Sequence, residues 1–142
     1  MATTTETRTY DRLLYAAGIV FAVGSVIHTF DHLRRGQGSV TDQLLSLGVA
    51  GIAVQSVVAT LILSRHRLAP LFAAGAGFPL AIGFFAVHFL PDWTVFSDPL
   101  WEISSWSWFS FLAEALEIGG ALAIATAGVA VIRAKGGLGA FG

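Results

Sequence analysis

Cysteine is absent from the 142 residues. That removes disulfides, thiolate metal sites, cysteine nucleophiles and iron–sulfur clusters together, leaving His, Asp and Glu as the strong metal ligands. Charge is scarce too. Only 12% of residues are charged and 55% are hydrophobic, whereas soluble domains run at about 25% charged. The composition is that of a membrane protein. With a net charge of −1 and no basic block, the chain has no nucleic-acid partner. Its length suits one domain and not two, and no internal repeat is visible.

Long apolar runs are what the chain does have. A span needs roughly 20 mainly apolar residues to cross a hydrocarbon core of about 30 Å. Four stretches qualify: Leu13–Leu33, Leu44–Leu63, Ala69–Leu90 and Trp108–Ile132. Ser39, Thr41 and Asp42 offer N-cap chemistry before the second, and Pro91 marks the end of the third. Pro79 falls within the third and should kink it, which neighbouring helices can accommodate. Gly75 and Gly77 would let another helix approach there. Arg8 and Arg12 ahead of the first apolar run mimic a signal peptide, but no small-residue cleavage site follows. The segment is read as a retained helix.

The basic residues give a direction. Arg8, Arg12, Arg65, Arg67, Arg133 and Lys135 fall on one side of the four spans, and only Arg34 and Arg35 on the other. The positive-inside rule then puts both termini in the cytoplasm and the loops 34–43 and 91–105 outside. The second of these carries Asp92, Asp98 and Glu102 with no Lys or Arg. Trp93, Trp101, Trp106 and Trp108 lie in and beside it, as an interfacial aromatic belt or as a lid over a site.

An ionisable residue at mid-span costs about 2.5–3.5 kcal/mol on insertion scales, so each one is a functional candidate. Glu114 and Glu117 lie at i and i+3 on the fourth span, on one face and about 5–6 Å apart at Cβ. In low dielectric such a pair takes up a proton or holds a cation. On the first span His28 and His32 stand at i and i+4, as two imidazoles sharing a metal must. Asp31 between them suits a ligand, an orienting partner or a general base. The order His28-x-x-Asp31-His32 resembles the H-x-x-E-H motif of inverted zinc peptidases, with the shorter Asp in place of Glu. The third span adds His88, with Asp92 four residues on, and the second adds Gln55. With the termini inside, His28, His88 and Glu114 come to similar depth in the outer half, while the inner half of every span is apolar. His66, between Arg65 and Arg67, reads as a solvated loop residue.

The sequence thus predicts an all-α, up-down four-helix bundle in the cell membrane, residues 1–142 forming a single transmembrane domain. His28, His32, His88 and Glu114 are the expected metal ligands, with Glu117 and Asp31 as the catalytic groups. Nitrogen and oxygen donors without sulfur suit zinc best, then iron or manganese. Because the carboxylates share one helix, the paired E-x-x-H pattern of di-iron bundles is not reproduced. A site opening to the outer leaflet would take a lipid or other amphiphile as substrate. Two alternatives stand beside this enzyme: haem b between His28 and His88, and an accessory subunit of a larger membrane complex or homo-oligomer. For the latter, Gly119, Gly120 and Gly128 would face a partner helix.

Overall fold

The computed structural model describes residues 4–105 and 107–141; Trp106, one of the expected belt residues, lies outside them. Four helices account for most of the chain: α1 (Thr4–Arg35), α2 (Asp42–Leu63), α3 (Ala69–Phe89) and α4 (Ser107–Ala134). There is no strand among the described residues. All four helices are long and apolar enough to cross a membrane. Even α3, the shortest at 21 residues, is about 32 Å long at a rise of 1.5 Å per residue.

Local chemistry sets the ends of these helices. Thr41 caps α2, its hydroxyl accepting from Leu44 N–H at 3.1 Å. Helix α3 stops at Phe89 because Leu90 precedes Pro91 and is held extended, at ψ 154°. The helix runs on through Pro79, which is exposed. At the end of α2, His66 N–H bonds back to Leu61 O at 2.9 Å and Arg65 N–H to Ile62 O at 3.0 Å. This is a Schellman closure, whose turning position glycine usually fills. Here it is Arg65, at φ 53°, where a side chain costs about 1–2 kcal/mol.

Pairs along the helices run in opposite senses. Gly24 meets Leu116, Gly120 meets Phe21, Gly77 meets Ala121 and Gly128 meets Pro70. Helix α4 therefore lies antiparallel to both α1 and α3, its closest neighbours. Helix α2 is antiparallel to α1 through Ser25–Gln55 and is the least enclosed of the four. Gly120 and Gly128, expected to face a partner, are used within the bundle. A methyl group at Gly120 would stand 2.7 Å from Phe21 Cα, whereas Gly119 and Gly75 face open space.

The core is built from small and branched residues around Phe21, Val58, Ile62 and Ile124. The outside is just as apolar: Val26, Leu33 and Ile82 are each about 70% exposed, while Glu114 and Glu117 are fully enclosed at 1% and 0%.

Candidate metal centre

The enclosed polar groups gather at one end of the bundle, under the loop from Pro91 to Ser105. On α1 the i, i+4 spacing stacks His28 under His32, ring centroids 4.6 Å apart. His88, one residue from the end of α3, packs edge-on against His28 at 5.2 Å and tilted against His32 at 5.8 Å. Glu114 and Glu117 reach the same point from α4. The Nδ1 atom of His28 is 2.8 Å from Glu114 Oε2 and 3.1 Å from Glu117 Oε2. Two sets of three have ligand atoms within 4.8 Å of one another, His28–His32–His88 and His28–Glu114–Glu117, and they share His28.

Proton positions follow from the partners. His88 Nδ1 lies 3.0 Å from the backbone oxygen of Asp98. A carbonyl only accepts, so Nδ1 carries a proton, and in the neutral ring Nε2 is left with a lone pair. That lone pair faces Glu114 Oε2 at 3.5 Å. His32 is arranged the opposite way. Its Nδ1 lies 2.9 Å from Arg35 Nη2, and since guanidinium only donates, Nδ1 accepts and the neutral ring keeps its proton on Nε2. His32 can ligate in this orientation only by giving up one of those protons.

Glu114 and Glu117 are short of donors. None of their four carboxylate oxygens receives a formed hydrogen bond among the described residues. Gln55 stands beside Glu117, its own oxygen held by the Ser25 hydroxyl. Buried polar atoms are normally satisfied, so two enclosed carboxyls whose nearest donors are one His28 nitrogen and Gln55 mark a place that accepts a proton or a cation.

Asp31 is close in sequence but differently engaged. It is 3% exposed and accepts from Arg34 Nη2 at 2.7 Å and from the Ser110 hydroxyl at 3.0 Å, with Arg35 Nε at 3.2 Å. It belongs to neither ligand set. Its charge is balanced by arginine, and through Ser110 it holds α1 against α4 beside the histidines.

Asp98 is the residue that sequence reasoning undervalued. It is buried, not solvated, and pairs with Arg35 through both oxygens, at 2.9 and 2.5 Å. Burial pushes the Asp98 carboxyl up, but the Arg35 hydrogen bonds and charge outweigh it and hold it below its usual range. Through its backbone Asp98 also orients His88 and bonds to Val87 O at 3.0 Å, so the loop is pinned over the site. Trp93, Trp101 and Trp108 are exposed around it, and Trp93 Nε1 donates to Ala86 O at 3.1 Å. One signal in the sequence pointed this way: the only two cations on this side, Arg34 and Arg35, accompany a loop carrying only acidic charge.

The chain matches no protein-family model, no curated protein and no solved structure.

Proposed function

We propose that this chain is an integral membrane protein of the cell membrane, with both termini cytoplasmic, that binds one divalent metal ion in the outer half of its bundle. The membrane reading rests on an inside-out arrangement: large apolar side chains face outward and ionisable ones inward. The metal reading is carried by one observation: His88 Nε2 stands 3.5 Å from Glu114 Oε2 while Nδ1 is given to Asp98 O. With the ring neutral and the carboxyl ionised both are acceptors, and a proton or a metal ion between them relieves the repulsion.

His28, His88 and Glu114 are the protein ligands of this proposal; they draw on both close trios and do not themselves form one of them. Zinc bonds of about 2.0–2.1 Å in tetrahedral geometry separate ligand atoms by about 3.4 Å. The 2.8 Å from His28 to Glu114 and the 3.5 Å from His88 to Glu114 bracket that value. Two His and one Glu with an open position is a catalytic zinc pattern, and zinc, when bound, lowers the pKa of its water to about 7. Glu117, on the same face of α4 as Glu114 and 3.1 Å from His28, would serve as the proton acceptor beside a bound metal. The reaction class is hydrolysis of a lipid or other amphiphile at the outer leaflet. His32 sets the electrostatics through Arg35, and Asp31 positions α1.

Haem b fits less well. His28 and His88 are in edge-to-face contact at 5.2 Å, which leaves no gap for a porphyrin between them.

Metal content by mass spectrometry, with a visible spectrum, tests the reading on protein purified in mild detergent without a histidine tag. Near-stoichiometric zinc is expected, lost in His28→Ala and Glu114→Ala and retained in His32→Ala. A folded, metal-free protein would favour the accessory-subunit role, and a Soret band the haem.

A further inference from the structure

The opposite end of the bundle holds a second feature, unrelated to the metal site. A cavity of about 440 Å³ opens there between the start of α1, the α2–α3 turn and the end of α4. Its volume falls within the range of small-molecule pockets, about 300–1,000 Å³. Arg8, Arg12, Arg65, Arg67 and Lys135 line it, with Asp11 as the one carboxylate of the lining. Its floor is apolar: Leu14, Ile62 and Ala69 are buried, at 4%, 2% and 3% exposure. Cationic walls above an apolar floor match a ligand with an anionic head and a greasy stem.

Arg65 adds an independent observation. It occupies the left-handed turning position of the Schellman closure, at φ 53°, where glycine would relieve strain. Its side chain lies over the Tyr15 ring, 4.8 Å from the centroid, and lines the cavity. An arginine standing where the backbone favours glycine points its guanidinium at the cavity despite the backbone strain, and that group is well suited to phosphate oxygens.

We propose that this cavity binds a phosphate group of net negative charge, not neutralised by a headgroup cation, supplied in the membrane by an anionic phospholipid headgroup. The lipid source rests on the membrane reading above, in which this end is cytoplasmic and meets the leaflet richer in anionic lipid. Recognition of the phosphate itself does not depend on that reading.

The test is native mass spectrometry of the full chain, released from detergent containing equal phosphatidylglycerol and phosphatidylcholine. Preferential retention of phosphatidylglycerol is expected. Arg65→Gly and Arg12→Gln should each weaken it about fivefold, the equivalent of about 1 kcal/mol per basic side chain near an anionic lipid. Asp11→Asn should strengthen it. Arg65→Gly also separates binding from folding, because it relaxes the backbone and should leave the thermal midpoint unchanged or raised. Excess inorganic phosphate distinguishes the sources: displacement of the lipid makes free phosphate a ligand as well, and resistance to displacement assigns the site to the lipid. Equal retention of both lipids, or retention unaffected by Arg65→Gly and Arg12→Gln, would overturn the proposal. Carbonate extraction of cell membranes separately reports whether the chain is membrane-integrated. Release into the soluble fraction would remove the lipid source, while direct phosphate binding and its loss in Arg65→Gly would still test the site.

Discussion

Nε2 of His88 faces Oε2 of Glu114 at 3.5 Å, and the hydrogen bond from Nδ1 to Asp98 O makes Nε2 the nitrogen that is bare in the neutral ring. A backbone carbonyl on a loop thereby decides the chemistry of a ring on α3. The same logic separates three histidines that sequence spacing treats as equals. His28 and His88 turn a nitrogen to the glutamates, while His32 gives its Nδ1 to Arg35. Function and stability pull apart at such a site, because groups poised for a ligand are poorly satisfied without one.

Glu117→Met should therefore stabilise the metal-free protein. The substitution keeps the volume and removes two buried oxygens that accept no formed hydrogen bond, each unsatisfied group costing about 1–3 kcal/mol. A gain of that order is expected in chemical unfolding in detergent under chelation, together with loss of any hydrolytic activity. A marked loss of stability would instead make Glu117 an adhesive between helices.

Arg35 and Asp98 should behave as one unit. Their side chains are only 8% and 9% exposed and 2.5 Å apart, so removing Arg35 strands Asp98, while removing Asp98 leaves Arg35 with Asp31, at the longer 3.2 Å, as its carboxylate partner. Arg35→Met or Asp98→Leu alone is expected to cost about 3–5 kcal/mol, and the double variant far less than the sum. A double-mutant cycle by thermal or chemical unfolding measures this. Hydrogen exchange at the Asp98 amide, which donates to Val87 O, should rise in both single variants as the loop lifts. Additive losses would show that the pair does not couple.

Much of this was legible in the sequence, and the reason is the bilayer-length period of its apolar runs. Three of the four helices cover their expected stretches and α3 ends one residue short, at Phe89; α1 extends past its stretch at both ends because Arg8, Arg12, Arg34 and Arg35 are good helix formers that hydropathy discounts. The convergence of His28, His88, Glu114 and Glu117 was legible because helix direction fixes depth. The roles of His32 and Asp31 were not, since they depend on which donor meets which ring nitrogen or oxygen, and a guanidinium one turn away settles that. Asp98 was opaque for a related reason. Its burial comes from a loop folding back onto α3, a long-range contact without a periodic signature.

Gly24 should be as sensitive as a ligand without being one. A methyl group there would stand 2.8 Å from Leu116 O and 3.0 Å from Glu117 N, where α1 crosses α4 one turn from His28. Backbone cannot yield as a side chain tip can, so Gly24→Ala should push the helices apart and cost about 1–3 kcal/mol. His28 moves away from the glutamates with α1, and metal content should fall with stability. Gly48→Ala, on α2 with nothing near its added methyl, serves as the control that changes neither. Retained metal in Gly24→Ala would mean that the crossing is looser than these distances imply.

Chelation supplies the last test, because a ligand that binds only the folded protein stabilises it by mass action. At a free ion concentration a thousandfold above the dissociation constant the gain is about 4 kcal/mol. A strong chelator should therefore lower the thermal midpoint of the protein in detergent, and zinc in excess of the chelator should restore it. The variants partition the effect. Glu114→Met loses a ligand carboxylate that contacts both His28 and His88, so its midpoint should ignore the chelator. His32→Ala should keep the response, because its ring nitrogen is already committed to Arg35. Were His32→Ala to lose the response while Glu114→Met kept it, the ion would belong to the cluster of three histidines, and Arg35 would have to release His32 to admit it.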